Sequence, residues 1–223
     1  FLGDPRVVLA FKRTAATLWP DWRAMLEVAP RPSNYRSVLT YLVGHPTDWR
    51  KALNLIPQRL LALYLAAYQS YLWNRIAGTY LARLYQRSGV QALHLTIAGQ
   101  ALPLHAGLAG QLLEELSSLR IALPSHQATF QAEVAGIAQE VLAAEGLALD
   151  DLKARILKKA YFAKGSRAVL LKPEEMHVDA PLADERFPGQ LKLSVHFVLP
   201  PGSYATLLLR AAPLPHPEPG EGG

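Results

Sequence analysis

Apolar positions along this chain change their period twice. Over residues 11–56 they recur at helical spacing, in short blocks cut by proline. Helices are expected over 11–19, again over 22–28 after Pro20 and Asp21, and over 35–43, where Asn34 stands at the N-cap position. Pro30-Arg31-Pro32 breaks the second and Gly44-His45-Pro46 ends the third. Thr47 is placed to cap a fourth, with Asp48 in its first turn and Trp49, Ala52, Leu53 and Ile56 on one face. Residues 58–87 then read as one long helix, apolar on nearly all sides, and that pattern predicts burial. In such a helix the polar residues stand out. Ser70 and Asn74 lie four apart on one face and can bond each other or a neighbouring backbone. A structural polar pair and a substrate contact both fit that placement.

From residue 93 short strands enter. A strand is expected over 93–97 with a turn at 98–100, then helices over 109–119 and 133–144, the latter stopped by Gly146. A further helix begins at Leu149 and ends near Lys159. Residues 165–173 read as a strand leading to a turn, and 179–189 as a polar loop. Over 191–199 the period is two: Leu191, Leu193, Val195, Phe197 and Leu199 share one face, Lys192, Ser194 and His196 the other. Pro200 and Pro201 end that ladder, Gly202 allows a tight turn, Ser203 can cap, and 204–210 forms a short apolar helix. The tail from Pro213, rich in Pro, Gly and Glu, is expected to be disordered. Helices and strands in this order indicate an α+β fold.

Composition narrows the chemistry. Half of the 223 residues are hydrophobic and 18% are charged, enough apolar material for a core. No apolar run reaches membrane-spanning length without polar interruption, and no export signal is visible. The absence of cysteine excludes disulfides, thiolate catalysis and sulfur-ligated metals. Seven histidines occur, none in a metal-binding spacing, so no metal site is expected. No phosphate-binding glycine loop or nucleophile-elbow serine is present, so no nucleotide cofactor and no serine hydrolase is supported. The net charge of +5 suits a polyanion. Basic residues recur through the first sixty positions, among them Lys12, Arg13, Arg23, Arg36, Arg50 and Lys51, either as phosphate contacts or as a solvated helical face.

Two separated blocks carry a family resemblance. Phe197-Val198-Leu199-Pro200-Pro201-Gly202-Ser203-Tyr204-Ala205-Thr206 resembles the C-terminal F-x-L-P-x-G-S-[YF]-A-T signature of the TruD family of tRNA pseudouridine synthases. Ala67-Tyr68-Gln69-Ser70-Tyr71-Leu72-Trp73-Asn74 is similar to that family's A-[YA]-[QR]-S-Y-L-[FW]-N helix, and the stretch from Gly165 to Pro173 resembles its G-x-R-x-x-x-x-x-P segment.

The resemblance implies part of a mixed-sheet catalytic domain with a small α/β domain inserted in it. On that basis residues 1–88 are the helical part of the catalytic domain, 89–165 the insertion, 166–212 the closing strands and helix, and 213–223 the tail. It implies uridine-to-pseudouridine isomerisation in tRNA, at uridine 13, in the cytoplasm, without metal or organic cofactor. It places Tyr204 against the substrate uridine. Arg210 would pair with the catalytic carboxylate or a phosphate, or else forms a surface ion pair. Asn74 and Arg167 complete the expected substrate-binding set. The family's nucleophilic aspartate sits in a motif resembling G-x-K-D-x-x-A-x-T-x-Q, and no aspartate here has those neighbours. The chain also begins at Phe1 rather than Met, so that aspartate is expected upstream of Phe1. A non-catalytic RNA-binding relative and a helical protein-interaction module are the alternatives.

Overall fold

The structure, a computed structural model, describes residues 5–97, 100–105, 107–158, 160–200 and 203–211. Side chains set the helix boundaries near the start. Helix α1 (Arg6–Leu18) ends before Trp19 and Pro20. Helix α2 (Trp22–Val28) is opened by Asp21, whose carboxylate accepts the Ala24 N–H at 3.0 Å. Its far end is closed by Arg36, which donates to the carbonyls of Leu26 and Ala29 at 2.9 and 3.1 Å.

Helices α3 (Tyr35–Gly44) and α4 (Trp49–Asn54) follow. Two expected caps differ. Asn34 already has helical backbone angles and makes no side-chain cap. Asp48, not Thr47, caps α4: one carboxylate oxygen accepts the Lys51 N–H at 3.1 Å and the other the Tyr41 hydroxyl at 2.6 Å. An aspartate one position nearer the helix reaches the free N–H groups and displaces the threonine. The Tyr41 hydrogen bond, aided by the Lys51 N–H, holds the Asp48 carboxyl below its usual range and lifts the Tyr41 phenol above its own.

Helix α5 (Gln58–Ser88) has the expected length but not the expected all-round burial. Leu61, Gln69, Leu72, Ile76 and Tyr80 are buried at three-, four- and eight-residue steps along one stripe. Leu63 and Tyr64 off that stripe are 61% and 46% exposed. Apolar character all round measured composition, whereas packing selected one side.

The chain gathers into two compact units, with the boundary inside α5. One joins Phe1–Ile76 to Ala122–Gly165, the other Ala77–Ile121 to Ser166–Gly223. In the first, Phe11, Ala15, Trp22, Met25, Leu39 and Leu42 form a core among α1–α3. Later in the chain it holds α7 (Ala132–Ala144), which buries Val134, Ile137, Ala138, Val141 and Leu142. Gly146, at φ +69°, lets the chain leave α7: its N–H meets Ala143 O and that of Leu147 meets Leu142 O, both at 2.9 Å. The helix expected after Leu149 is a single 3-10 turn, Leu149–Lys153.

In the second unit, strands β1 (Ala92–Ile97) and β2 (Gln100–His105) pair antiparallel. The expected turn at 98–100 falls partly outside the described residues. Helix α6 (Gly110–Ser118) follows, then β3 (Arg120–Ala122), which pairs with β4 (Ser166–Ala168). Strands β5 (Glu174–Val178), β6 (Leu182–Ala183), β7 (Leu191–Lys192) and β8 (Val195–Val198) pair as β5–β8 and β6–β7, both antiparallel. Helix α8 (Ala205–Ala211) comes last among the described residues.

The strand expected over 191–199 is therefore two strands with different partners, interrupted at Leu193 and Ser194. Alternation survives only from Val195 onward, where Val195, Phe197 and Leu199 are half-buried, while Leu191 and Leu193 are 71% and 56% exposed. A two-residue ladder has no opposing layer on which to bury its apolar face.

Candidate functional site

Of the four residues singled out by sequence, Asn74 lies in the first unit, and Arg167, Tyr204 and Arg210 lie in the second. Asn74 is half-buried on α5. The buried polar residue of its block is Gln69, at 2% exposure, whose amide donates to the carbonyls of Pro124 at 2.9 Å and Ala163 at 2.8 Å. Ser70 donates to Ala66 O one turn back, the backbone option open to it from the sequence.

At the C-terminal block, Ser203 N–H donates to Pro200 O at 3.2 Å, while Pro201 and Gly202, on which the tight turn was expected, lie outside the described residues. Tyr204 stands just before α8, its carbonyl accepting from Leu207 N–H at 3.0 Å. Its residue surface is 55% exposed, so the ring is available rather than packed as a corner. Arg210 is exposed in the last turn of α8, where a cation complements the helix dipole. At about 3.6 residues per turn it emerges on a different face from Tyr204, roughly 9 Å along the axis. Arg167 lies half-buried on β4. That strand is pinned by Arg120, whose guanidinium donates to Ser166 Oγ at 3.1 Å and Ser166 O at 2.9 Å. An open aromatic face with arginines on the same unit offers stacking for a base and hydrogen bonds for phosphate oxygens.

Sequence reasoning missed a polar network inside the family-like helix block. Glu145, at the C-cap of α7, accepts hydrogen bonds from the hydroxyls of Tyr68 at 3.2 Å and Tyr71 at 2.9 Å, and forms an ion pair with Arg75. A carboxylate at a helix C-terminus opposes the helix dipole, and Arg75 compensates it. Burial first, then the Glu145 charge, pushes the Tyr68 phenol up. The signal was present, because Tyr68, Tyr71 and Arg75 fall at i, i+3 and i+7 on one helix face.

A second missed cluster is His177, His196 and Asp179. The two histidines pair across β5–β8, and their Nε2 atoms approach the Asp179 carboxylate at 3.3 and 3.0 Å. Among the described residues no group of three or more His, Cys, Asp or Glu side chains is arranged to hold a metal ion. No helix among them is long and apolar enough to cross a membrane.

Comparison with known proteins bears on this geometry. The sequence model of the family described as tRNA pseudouridine synthase D (TruD) matches residues 7–92 and 110–212. The tRNA pseudouridine synthase D of Aquifex aeolicus is 30% identical over 212 residues, covering 94% of this chain and 50% of the relative. Among solved structures, a Methanosarcina mazei chain named as tRNA pseudouridine synthase D shares the fold with a TM-score of 0.65 at 22% identity, over 93% of this chain and 50% of that one. The chain spans about half the length of the curated relatives it matches.

Proposed function

This chain belongs to the tRNA pseudouridine synthase D (TruD) family, and on that premise we propose that the complete protein isomerises uridine to pseudouridine in tRNA. The reaction breaks the N1–C1′ bond of a uridine and forms a C5–C1′ bond. The C5 proton leaves to solvent and N1 gains one, so base and sugar keep their composition and no oxidant or cofactor is consumed. The target base must first leave its stack.

Tyr204 carries this reading: an exposed residue just before α8, inside the block that resembles the family signature. In the proposal it stacks on the extruded uracil, while Arg167 and Arg210, on the same unit, hold phosphate oxygens; Asn74, on α5 in the other unit, is proposed as a separate substrate contact. The catalytic carboxylate is assigned to a part of the protein outside these residues, since no aspartate here has the motif's neighbours. Such a protein acts where tRNA is handled, in the cytoplasm, and uridine 13 is the position assigned to it. The test is the pseudouridine content of tRNA from cells lacking the gene. One position should revert to uridine and be restored by the complete gene. An unchanged modification profile would overturn the reading.

A further inference from the structure

We propose that helices α1–α4 and the start of α5 form a pocket for an unstacked base of single-stranded RNA. The hollow has a volume of about 340 Å³ and is open on one side. Its wall is almost wholly apolar and rich in rings, notably Phe11, Trp19, Trp22 and Trp49. Trp19 and Trp49 lie nearly parallel, 16° apart with centroids at 5.6 Å. Trp22 meets both edge-on, at 4.5 and 5.2 Å. Trp22 is buried, yet Trp19 and Trp49 remain 59% and 40% exposed. Two indoles held rigidly beside an open hollow form a stacking platform, and every base offers a flat face to it. The volume suits a small planar ligand.

Besides the tyrosines Tyr35 and Tyr64, Lys12 and Asn34 bring polar groups to the same hollow. The Asn34 amide is not spent on capping α3. It carries both a donor and an acceptor, which is what the pairing edge of a base requires.

Charge selects RNA as the occupant. Residues 1–76 contain ten Lys and Arg against four Asp and Glu, a net +6, while the remaining 147 residues carry thirteen against fourteen. The chain's whole positive excess therefore lies on the segment that builds the pocket. Exposed Arg13, Arg23 and Arg50 directly follow the pocket residues Lys12, Trp22 and Trp49. An apolar partner has no use for a surplus of cations on the segment that builds its pocket, whereas phosphates flanking a stacked base do.

The inference rests on the reading that this protein works on RNA, and its test separates the two. The 223-residue chain is titrated at fixed salt with a 12-nucleotide single-stranded RNA and with an abasic ribose-phosphate strand of equal length and charge. The RNA should quench tryptophan fluorescence and bind about tenfold more tightly than the abasic strand. Trp19→Ala and Lys12→Gln should each weaken RNA binding several-fold, and Trp19→Tyr, which keeps a ring, should restore most of the loss. Because Trp19 is largely exposed, its variants are expected to fold, which circular dichroism checks.

Equal affinity for the two strands, or RNA binding unchanged in Trp19→Ala, would overturn the pocket. So would protection of Trp19 and Trp49 from acrylamide in the complete protein without RNA, since that would mean protein fills the hollow. Base-dependent binding by a protein that forms no pseudouridine would overturn only the proposed activity. Pseudouridine formation without base-dependent binding here would overturn only the pocket.

Discussion

The side-chain amide of Gln69 donates to the carbonyl of Ala163 at 2.8 Å, joining α5 to a segment 94 positions later in the chain. A second bond, to Pro124 at 2.9 Å, uses the same nitrogen. One buried residue thus satisfies two carbonyls that loop backbone would otherwise leave without a partner. Gln69→Leu keeps the approximate volume and removes both donors. It should destabilise the fold by about 2 kcal/mol or more, read as a lower urea midpoint at unchanged slope. An unchanged midpoint would mean that other groups or water satisfy those carbonyls.

Glu145 collects two phenols and a guanidinium at the end of α7. Glu145→Ala leaves Arg75 without its counter-charge, at an expected cost of about 1–3 kcal/mol. Glu145→Gln keeps an acceptor oxygen and should cost less. A double-mutant cycle with Arg75→Ala should yield a coupling energy well above that of an exposed ion pair. Strict additivity would show that the pair contributes nothing beyond geometry.

Burial pushes the Tyr85 phenol up to about 12, and the side chain is 1% exposed. In the unfolded chain a tyrosine loses its proton near pH 10 (about that value). The folded state thus holds a proton that the unfolded state has released. This contribution to stability is complete below about pH 10 and is lost as pH rises towards 12. Urea midpoints measured from pH 9 to 12 (roughly) should fall, and the fall should be shallower in Tyr85→Phe. Parallel curves for the two proteins would contradict the assignment to Tyr85.

Tyr204 is exposed, so its removal should spare folding and strike function. In the complete protein Tyr204→Ala should leave the melting temperature nearly unchanged and lower turnover on tRNA by about 10- to 100-fold, the scale of one lost base stack. Tyr204→Phe should retain most activity. Full activity in the alanine variant would remove Tyr204 from the site.

Elements governed by local rules were legible in the sequence. Pro20, Pro30 and Gly146 end helices where their backbone chemistry requires it, and α5 has the length its pattern predicts. Features set by distant partners were not. The run at 191–199 alternates as one strand, but its halves find different partners, β6 and β5, and a local period carries no record of that choice. Gln69 looked unremarkable beside Ser70 and Asn74 because its partners, Pro124 and Ala163, lie far along the chain. Nothing in the sequence sets Trp19, Trp22 and Trp49 apart from ordinary helix packing. Only coordinates reveal that two of its rings stay open to solvent.

Tritium release from tRNA labelled at uridine C5 reads the isomerisation itself, because forming the C5–C1′ bond expels that atom. The complete protein should release tritium, and this 223-residue chain alone should release none while still binding RNA. Release by the chain alone would place a catalytic carboxylate among its own aspartates, and no release by the complete protein would contradict the isomerase reading.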